Sequence, residues 1–288
     1  MKLFSFIINT NLYISFAAVF LTIETQVQLG MKPQLHPYLF IIFFATIFEY
    51  NLHRLITIIT KPNSLTDDKH SWVGQNRKSF YFLVAFSVIG FLISAAFAKT
   101  TVLITLLPIG VVTLFYSLPV FKTKKNIFRL REIPCLKVFL IAFVWSATTI
   151  LLPIIESGNS YDRWHVITML IERAIFVFAI TIPFDIRDMI ADEKAGLQTI
   201  PIIIGEKKAI LVANVYMLLF LIICFFHYFN TPLAFTLPAF IISALTTFLF
   251  INNNSLKKKT HYHYFILDGT MLLQGILVCV CYYIFAGE

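Results

Sequence analysis

Residues 164–187 read WHVITMLIERAIFVFAITIPFDIR, and residues 188–209 continue as DMIADEKAGLQTIPIIIGEKKA. The first segment is mostly apolar and is long enough to cross a bilayer, which takes about 20 apolar residues in a helix. The second segment is rich in acidic and basic residues and leads into another long apolar stretch. The junction therefore predicts a membrane-spanning helix that ends in a charged segment at one membrane surface.

The composition of the whole chain agrees with a membrane protein. Of 288 residues, 58% are hydrophobic and 13% are charged, and the mean hydropathy is +0.81. A soluble domain has roughly 45–50% apolar and about 25% charged residues. These values exclude a soluble protein, a disordered chain and a nucleic-acid-binding domain, although the net charge is +8.

Apolar runs bounded by polar residues predict an all-α, multi-pass bundle of nine transmembrane helices. We expect residues 1–288 to form a single membrane-embedded domain. We also expect the first apolar run to remain as a helix, since no signal-peptide cleavage site follows it cleanly. The predicted spans are 8–29, 37–60, 79–98, 101–121, 134–154, 164–187, 207–228, 232–251 and 264–286.

The basic residues are distributed unevenly between the two sides of these spans. Of the 23 lysines and arginines, all but Lys32, Lys99, Arg163 and Arg173 fall on one side. Positively charged loops stay in the cytoplasm, so the N-terminus is predicted to be cytoplasmic and Glu288 external. We expect the protein to be an integral protein of the bacterial cell (inner) membrane.

Three aspartates follow the sixth predicted span. Asp185, Asp188 and Asp192 are spaced i, i+3 and i+7, which places their carboxylates on one face of a helix. Like charges at this spacing repel, and carboxylate oxygens suit magnesium, which is often shared with substrate phosphates. The alternative is a solvated helix end whose acids pair with Arg187 and Lys194. Spacing alone leaves both interpretations open.

The pattern around these aspartates is DIxDxxxDxxxGxxTxPxxxG, with Gly196, Thr199, Pro201 and Gly205 at its later positions. It closely resembles the second aspartate-rich motif of the UbiA-type membrane prenyltransferase superfamily. The resemblance implies nine transmembrane helices and aspartates that bind Mg²⁺ holding a prenyl diphosphate. By resemblance this role belongs first to Asp188 and Asp192, and second to Asp185.

The chain departs from the first motif of that family, NxxxDxxxD, at the end of the second span. Asn51 is in place and is a substrate-binding candidate by the resemblance, but Leu55 and Ile59 stand where the family has aspartates. Arg54 lies nearby and is a candidate to bind a diphosphate without metal, because guanidinium groups bind phosphates bidentately. Arg54 is equally well explained as an interfacial charge that sets topology.

A second resemblance lies in FYSLPVFKTKK, residues 115–125. The family often has a tyrosine and a basic residue near the substrate here, so Tyr116 and Lys122 are the candidates, at a looser spacing than the family's YxxxK. The basic residues that follow, Arg129, Arg131 and Lys137, are either substrate contacts or, by preference, topology charges.

Two acidic residues lie within predicted spans. Asp268 is expected to face the bundle interior, as a site residue or as the partner of a buried cation. Glu24 lies nearer the outer end of its span, and we expect it at the membrane interface.

The predicted function is prenyl transfer from a prenyl diphosphate to a lipophilic acceptor held in the membrane, aromatic or lipid. Magnesium is the only cofactor expected, and membrane lipids are the expected surroundings. One alternative is a family member that has lost catalysis and binds a lipid or a partner protein. A transporter is less favoured, because transporters place polar groups near the bilayer midplane and the acids here gather at the rim.

Overall fold

The computed structural model describes residues 2–60, 68–118, 121–122 and 127–286. These residues form helices almost throughout, with one small antiparallel pair of strands, β1 (Phe121–Lys122) and β2 (Ile127–Phe128). A 3₁₀ turn covers Leu130–Glu132, another covers Ala234–Thr236, and a π-helical stretch covers Tyr262–Leu267. The α-helices are α1 (Lys2–Asn9), α2 (Leu12–Gln28), α3 (Pro37–Thr60), α4 (Asp68–Gln75), α5 (Arg77–Ala96), α6 (Thr100–Ser117), α7 (Leu136–Ser157), α8 (Arg163–Lys194), α9 (Ile200–Ile204), α10 (Glu206–Tyr228), α11 (Leu237–Asn252), α12 (Asn254–Lys257) and α13 (Asp268–Phe285).

Eight of the described helical segments have the length and apolar composition needed to cross a membrane. They correspond to the second through ninth predicted spans, so the all-helical, multi-pass fold is confirmed. The count of nine stays a prediction, because it depends on the first span.

The first span differs from the continuous helix predicted over 8–29. The chain breaks between α1 and α2, where Asn11 adopts a left-handed conformation with φ of 63°. Asparagine tolerates this conformation better than most residues. The break leaves α2 only 17 residues long, about 25 Å at 1.5 Å per residue, against a hydrocarbon core of about 30 Å.

Helix α2 nevertheless lies at the centre of the bundle, where it packs against α13, α3 and α7. Its approach to α13 requires a glycine. A Cβ atom at Gly275 would lie 2.5 Å from the backbone carbonyl carbon and oxygen of Phe20. Around this pair, α8 packs against α7 and α10, and α11 packs against α10 and α13.

Helix α8 is longer than predicted. It continues beyond residue 187 to Lys194 and has 32 residues, which corresponds to about 48 Å and exceeds the thickness of a hydrocarbon core by several turns. All three aspartates of the motif therefore lie on helix rather than partly in a loop. The end of the bundle where residues 185–192 lie is called the aspartate end below.

The other motif residues shape the connection from α8 to α10. Gly196, with φ of 74°, ends α8, and the Leu197 N–H donates to the Asp192 carbonyl at 2.9 Å in a Schellman arrangement. Thr199 precedes α9, Pro201 is its second residue, and Gly205, with φ of 83°, separates α9 from α10. Glycine is the residue that adopts these positive φ values without strain.

The fourth predicted span, 101–121, ends early. Helix α6 stops at Ser117, and Leu118 is extended, with φ of −86° and ψ of 136°. The physical reason is Pro119 in the sequence, because the residue before a proline is disfavoured in the helical region.

Candidate active site

A cavity of about 1260 Å³ opens at the aspartate end of the bundle. Helices α3, α5, α6, α7 and α8 contribute most of its wall. One part of the wall is strongly polar and the rest is apolar. The charged and imidazole side chains in the wall are Glu49, His53, Arg54, Arg129, Arg131, Glu132, Lys137, Asp185, Arg187, Asp188, Asp192 and Asp268.

Two of the three motif aspartates share one lysine. Lys137 Nζ lies 2.7 Å from Asp185 Oδ1 and 3.3 Å from Asp192 Oδ2. All three residues are buried, with 7%, 0% and 7% of their surfaces exposed. Lys137 donates a hydrogen bond to Asp192, whereas neither carboxylate oxygen of Asp185 has a hydrogen bond of good geometry.

Asp188, the third aspartate, is more accessible and has a different partner. The Arg187 Nε and Nη2 atoms lie 2.7 and 2.9 Å from the two Asp188 oxygens, a bidentate ion pair. The Arg187 guanidinium also lies over the rings of Phe184 and Tyr264, at 5.4 and 4.8 Å from the ring centroids. The expected alternative of pairing with Arg187 is therefore present for Asp188, and pairing with Lys194 is not observed within the described residues.

A second group of basic side chains, Arg129 and Arg131, also lines the cavity. The Arg131 Nη1 atom donates to His53 Nε2 at 2.5 Å, and its guanidinium lies 5.5 Å from the Tyr116 ring centroid. In the part of the chain that the structure describes, no carboxylate pairs with Arg131. Burial first, and then the charge of Arg131, lower the pKa of Arg129 from its ordinary value. This part of the wall thus holds positive charge that an anion would stabilise.

Asn51 and Arg54, at the first-motif position, form hydrogen bonds with the segment where the chain breaks between α1 and α2. Asn51 is fully buried and its side chain accepts a hydrogen bond from Asn11 Nδ2 at 3.2 Å. Arg54 Nη1 donates to the Asn9 carbonyl at 2.7 Å, and its Nη2 donates to Asn11 Oδ1 at 3.3 Å. Arg54 lines the cavity, whereas Asn51 and Leu55 do not.

The structure describes the side chains of the remaining candidate residues to different extents. Tyr116 lines the cavity, as expected for a substrate contact. Lys122 belongs to β1, but its side chain lies outside the described residues, as does that of Ile59. Glu49 also lines the cavity and accepts a hydrogen bond from Ser117 Oγ at 2.5 Å.

Sequence reasoning treated Lys137 and Arg131 as topology charges by preference and did not assign them partners. The structure places both in the cavity wall and in contact with other polar groups. The interaction of Lys137 with Asp192 joins positions 55 residues apart. No local spacing could have revealed it. The only available signal was a lysine at the very start of an apolar span, where a charge is costly unless it has a partner.

The prediction that Glu24 lies at the interface is wrong. Glu24 is 1% exposed and its Oε1 atom lies 2.8 Å from Arg173 Nη2. Gln274 Nε2 donates to the same carboxylate at 3.0 Å, and Arg173 Nη1 donates to Thr149 Oγ1 at 3.1 Å. Because burying an unpaired charge is expensive, Glu24 and Arg173 are stable inside the bundle only as a pair. Asp268, by contrast, lines the cavity as predicted.

The helix α8 carboxylates suit a magnesium ion that arrives with a phosphate ligand. Within residues 2–60, 68–118, 121–122 and 127–286, no three acidic, histidine or cysteine side chains converge to hold a metal by themselves. Magnesium usually needs only one or two protein carboxylates, with waters and substrate phosphates as its other ligands. Both oxygens of Asp185 are buried, and Lys137 is the one close side-chain donor to them among the described contacts. That unsatisfied capacity fits a cation.

The whole fold is similar to solved structures of UbiA homologues. A UbiA homolog from Archaeoglobus fulgidus bound to GPP and Mg²⁺ superposes with a TM-score of 0.65 at 15% identity, covering 95% of this chain and 99% of that one. The same homolog bound to DMAPP and Mg²⁺ gives 0.63 at 14%, covering 94% and 99%. The apo UbiA homolog from Aeropyrum pernix K1 gives 0.61 at 13%, covering 94% and 97%.

Sequence comparison identifies the family directly. No curated protein sequence matches the chain. The sequence profile of the UbiA prenyltransferase family matches residues 75–267, which is more than half of the chain and includes all three aspartates of α8. The chain is thus a multi-pass membrane protein that belongs to the UbiA prenyltransferase family.

Proposed function

We propose that this protein transfers a prenyl group from a prenyl diphosphate to a lipophilic acceptor, aromatic or lipid, that is held in the membrane. The observation that carries the proposal is a single cavity in which charged groups at one end adjoin an apolar wall. A prenyl diphosphate has the same two parts, a highly charged head and a hydrocarbon tail. The A. fulgidus structures that share this fold hold GPP or DMAPP together with Mg²⁺, which supports this class of donor.

The polar end suits the diphosphate head. Arg131, Lys137 and Arg187 supply positive charge, and the carboxylates of Asp188, Asp192 and Asp185 are the groups that would hold magnesium. Bound magnesium would supply Lewis-acid stabilisation of the negative charge on the departing diphosphate. Arg131 and Arg187 would stabilise the same negative charge. Hydrogen-bond donors that are held near a charge developing in the transition state lower the barrier to the reaction. We place this end on the cytoplasmic side, where most of the lysines and arginines are predicted to lie.

The apolar wall suits the tail and the acceptor. Leu92 from α5, Leu107 from α6 and Val144 from α7 are among its residues, and aromatic rings come from Phe91 and Trp145. The volume of about 1260 Å³ exceeds the roughly 300–1,000 Å³ typical of small-molecule sites. It therefore has room for a donor and part of an acceptor together. Exclusion of water from such a site protects an allylic cation from hydrolysis.

The second candidate function is lipid or partner binding without catalysis, and the loss of both first-motif aspartates favours it. The guanidinium of Arg131 answers this objection in part. It offers an anion positive charge in the cavity wall without requiring a metal ligand at the first-motif position. Catalysis with fewer metal ligands is therefore the function that we favour.

Turnover by the purified full-length protein tests the proposal. We expect labelled prenyl diphosphates, incubated with lipid-soluble phenols or lipid alcohols, to yield a labelled lipid-soluble product and free diphosphate in the presence of magnesium. Chelation of divalent cations with EDTA should stop the reaction. Saturable binding of prenyl diphosphate without any product, across the full set of acceptors, would establish the non-catalytic alternative. Absence of prenyl diphosphate binding at any magnesium concentration would contradict the proposed transfer and favour a non-catalytic protein that binds another lipid or a partner protein.

Substitution of Arg131 tests the basic side of the cavity. Arg131→Met keeps most of the side-chain volume and removes the charge, so we expect the affinity for prenyl diphosphate to fall about tenfold or more. The loss corresponds to one charge-assisted hydrogen bond of roughly 1.5–3 kcal/mol. Lys194→Met is the matched control, because Lys194 is exposed at the same end of the bundle and lies outside the cavity wall. Equal affinities for the two variants would show that Arg131 does not contact the diphosphate.

A further inference from the structure

A backbone hydrogen bond between the start of α7 and the segment after α8 fixes the position of Lys137. Lys137 is the second residue of α7 and lies two residues after Cys135, which adopts a left-handed conformation with φ of 59°. The Cys135 N–H donates to the Gln198 carbonyl at 2.9 Å, so the start of α7 is attached to the segment that follows α8. This attachment holds the lysine against the carboxylate face of α8.

The charges around Lys137 do not cancel. One ammonium group lies between the carboxylates of Asp185 and Asp192, at 2.7 and 3.3 Å. The third carboxylate, Asp188, is already balanced by Arg187. Within ion-pair distance, one positive charge therefore faces two negative charges in a buried position, and a group with two positive charges there would neutralise the pair. Buried charges without full compensation are costly.

The surroundings of Asp185 show the same lack of positive charge. Both of its oxygens are buried and neither makes a hydrogen bond of good geometry, even though Lys137 is within ion-pair distance. A carboxylate offers several lone pairs, and the single ammonium of Lys137 leaves most of them unused. Asp185 therefore retains the capacity to bind a further cation.

We propose that Lys137 is a built-in cation at the position between Asp185 and Asp192 that a divalent cation would take. Lysine and metal then compete for the same two carboxylates. The inference rests on the proposed function in that this carboxylate pair is taken as part of the metal site, but it concerns binding and requires no turnover.

The competition has a consequence for the order of binding. Lys137 lines the cavity and its side chain is long and flexible, so its ammonium can move from the carboxylates to another anion within reach. A diphosphate in the cavity provides that anion. Metal alone therefore binds weakly, whereas metal together with a diphosphate binds well, because the diphosphate receives the displaced ammonium.

Metal binding in the absence of any diphosphate tests the proposal. Mn²⁺ is a paramagnetic substitute for Mg²⁺. The affinity of the full-length protein for it is measured from the electron paramagnetic resonance signal of the free ion. We expect Lys137→Met to bind Mn²⁺ at least ten times more tightly than the parent protein, and Lys137→Arg to resemble the parent. Lys194→Met is the control for general loss of positive charge, because Lys194 is exposed and has no carboxylate partner among the described residues. Asp185→Asn combined with Lys137→Met should abolish the gain.

An unchanged or reduced Mn²⁺ affinity in Lys137→Met would overturn the proposal, as would an equal gain in Lys194→Met. The variant leaves two buried carboxylates without their lysine, so its folding is measured separately. We expect its thermal unfolding midpoint in detergent to fall without metal and to recover on addition of Mn²⁺, a recovery that the parent protein lacks. A variant that unfolds and is not rescued by Mn²⁺ would also overturn the proposal. If the protein binds Mn²⁺ as expected but transfers no prenyl group, the proposed function fails and this inference stands.

Discussion

Asp188→Asn should lower kcat/KM for prenyl transfer by about 100-fold or more and weaken the magnesium-dependent binding of prenyl diphosphate. Asp188 is the motif aspartate that Lys137 does not contact, and it lines the cavity in a half-buried position. It is the most exposed of the three motif carboxylates, and a metal–diphosphate complex would compete with Arg187 for its two oxygens. Loss of one preorganised electrostatic group at the reacting centre typically reduces turnover by a factor of roughly 10²–10³.

The substitution removes one charge while it preserves side-chain shape, so the measurement separates chemistry from packing. Glu193→Gln is the matched control, because Glu193 lies on the same part of α8, is exposed and does not line the cavity. Activity and diphosphate affinity are measured across a magnesium titration in both variants. Asp188→Asn with the kinetics and the affinity of the control would show that the carboxylate is not part of the site.

Arg173→Met is expected to cause the largest loss of stability, about 3–5 kcal/mol, which is the usual consequence of removing one partner of a buried ion pair. Arg173 is 2% exposed, and its guanidinium donates to Glu24 and to the Leu21 carbonyl. Without it, the Glu24 carboxylate would be left in the interior with Gln274 as its remaining donor among the described contacts.

Thermal unfolding in detergent measures this effect. We expect a much lower unfolding midpoint for Arg173→Met than for Arg163→Met, since Arg163 lies at the exposed start of the same helix. Adding Glu24→Gln to Arg173→Met should restore part of the lost stability, because the neutral amide no longer requires a cation. If the double variant is as unstable as the sum of the single ones, the two residues do not act as a pair.

Local spacing was sufficient for the aspartate face of α8. Positions 185, 188 and 192 repeat at the helical period, so their placement on one face follows once the segment is helical. The structure shows that segment as helix to Lys194. Gly196 and Gly205 were recognised only as positions of the family motif, and the structure shows that both adopt positive φ values in the turns around α9. The break at Asn11 was missed because an asparagine within an apolar run is a weak signal.

The partners of the charged residues depend on tertiary structure. Glu24 was predicted at the interface because its position along the span was the only information available. Its partner Arg173 comes from a helix 149 residues further along the chain. Helix packing alone brings such groups together, and once they are buried the cost of an unpaired charge maintains the contact.

The sequence by itself determined that this is a multi-pass helical membrane protein with three carboxylates on one face of a helix, because hydropathy and helical periodicity are properties of neighbouring residues. It also carried the family motif. Only the tertiary structure decided that Lys137 lies between Asp185 and Asp192 and that Arg131 rests on His53 and Tyr116. These contacts join α7 to α8 and the 3₁₀ turn Leu130–Glu132 to α3 and α6. Their geometry follows from how the helices pack, which no local pattern of residues specifies.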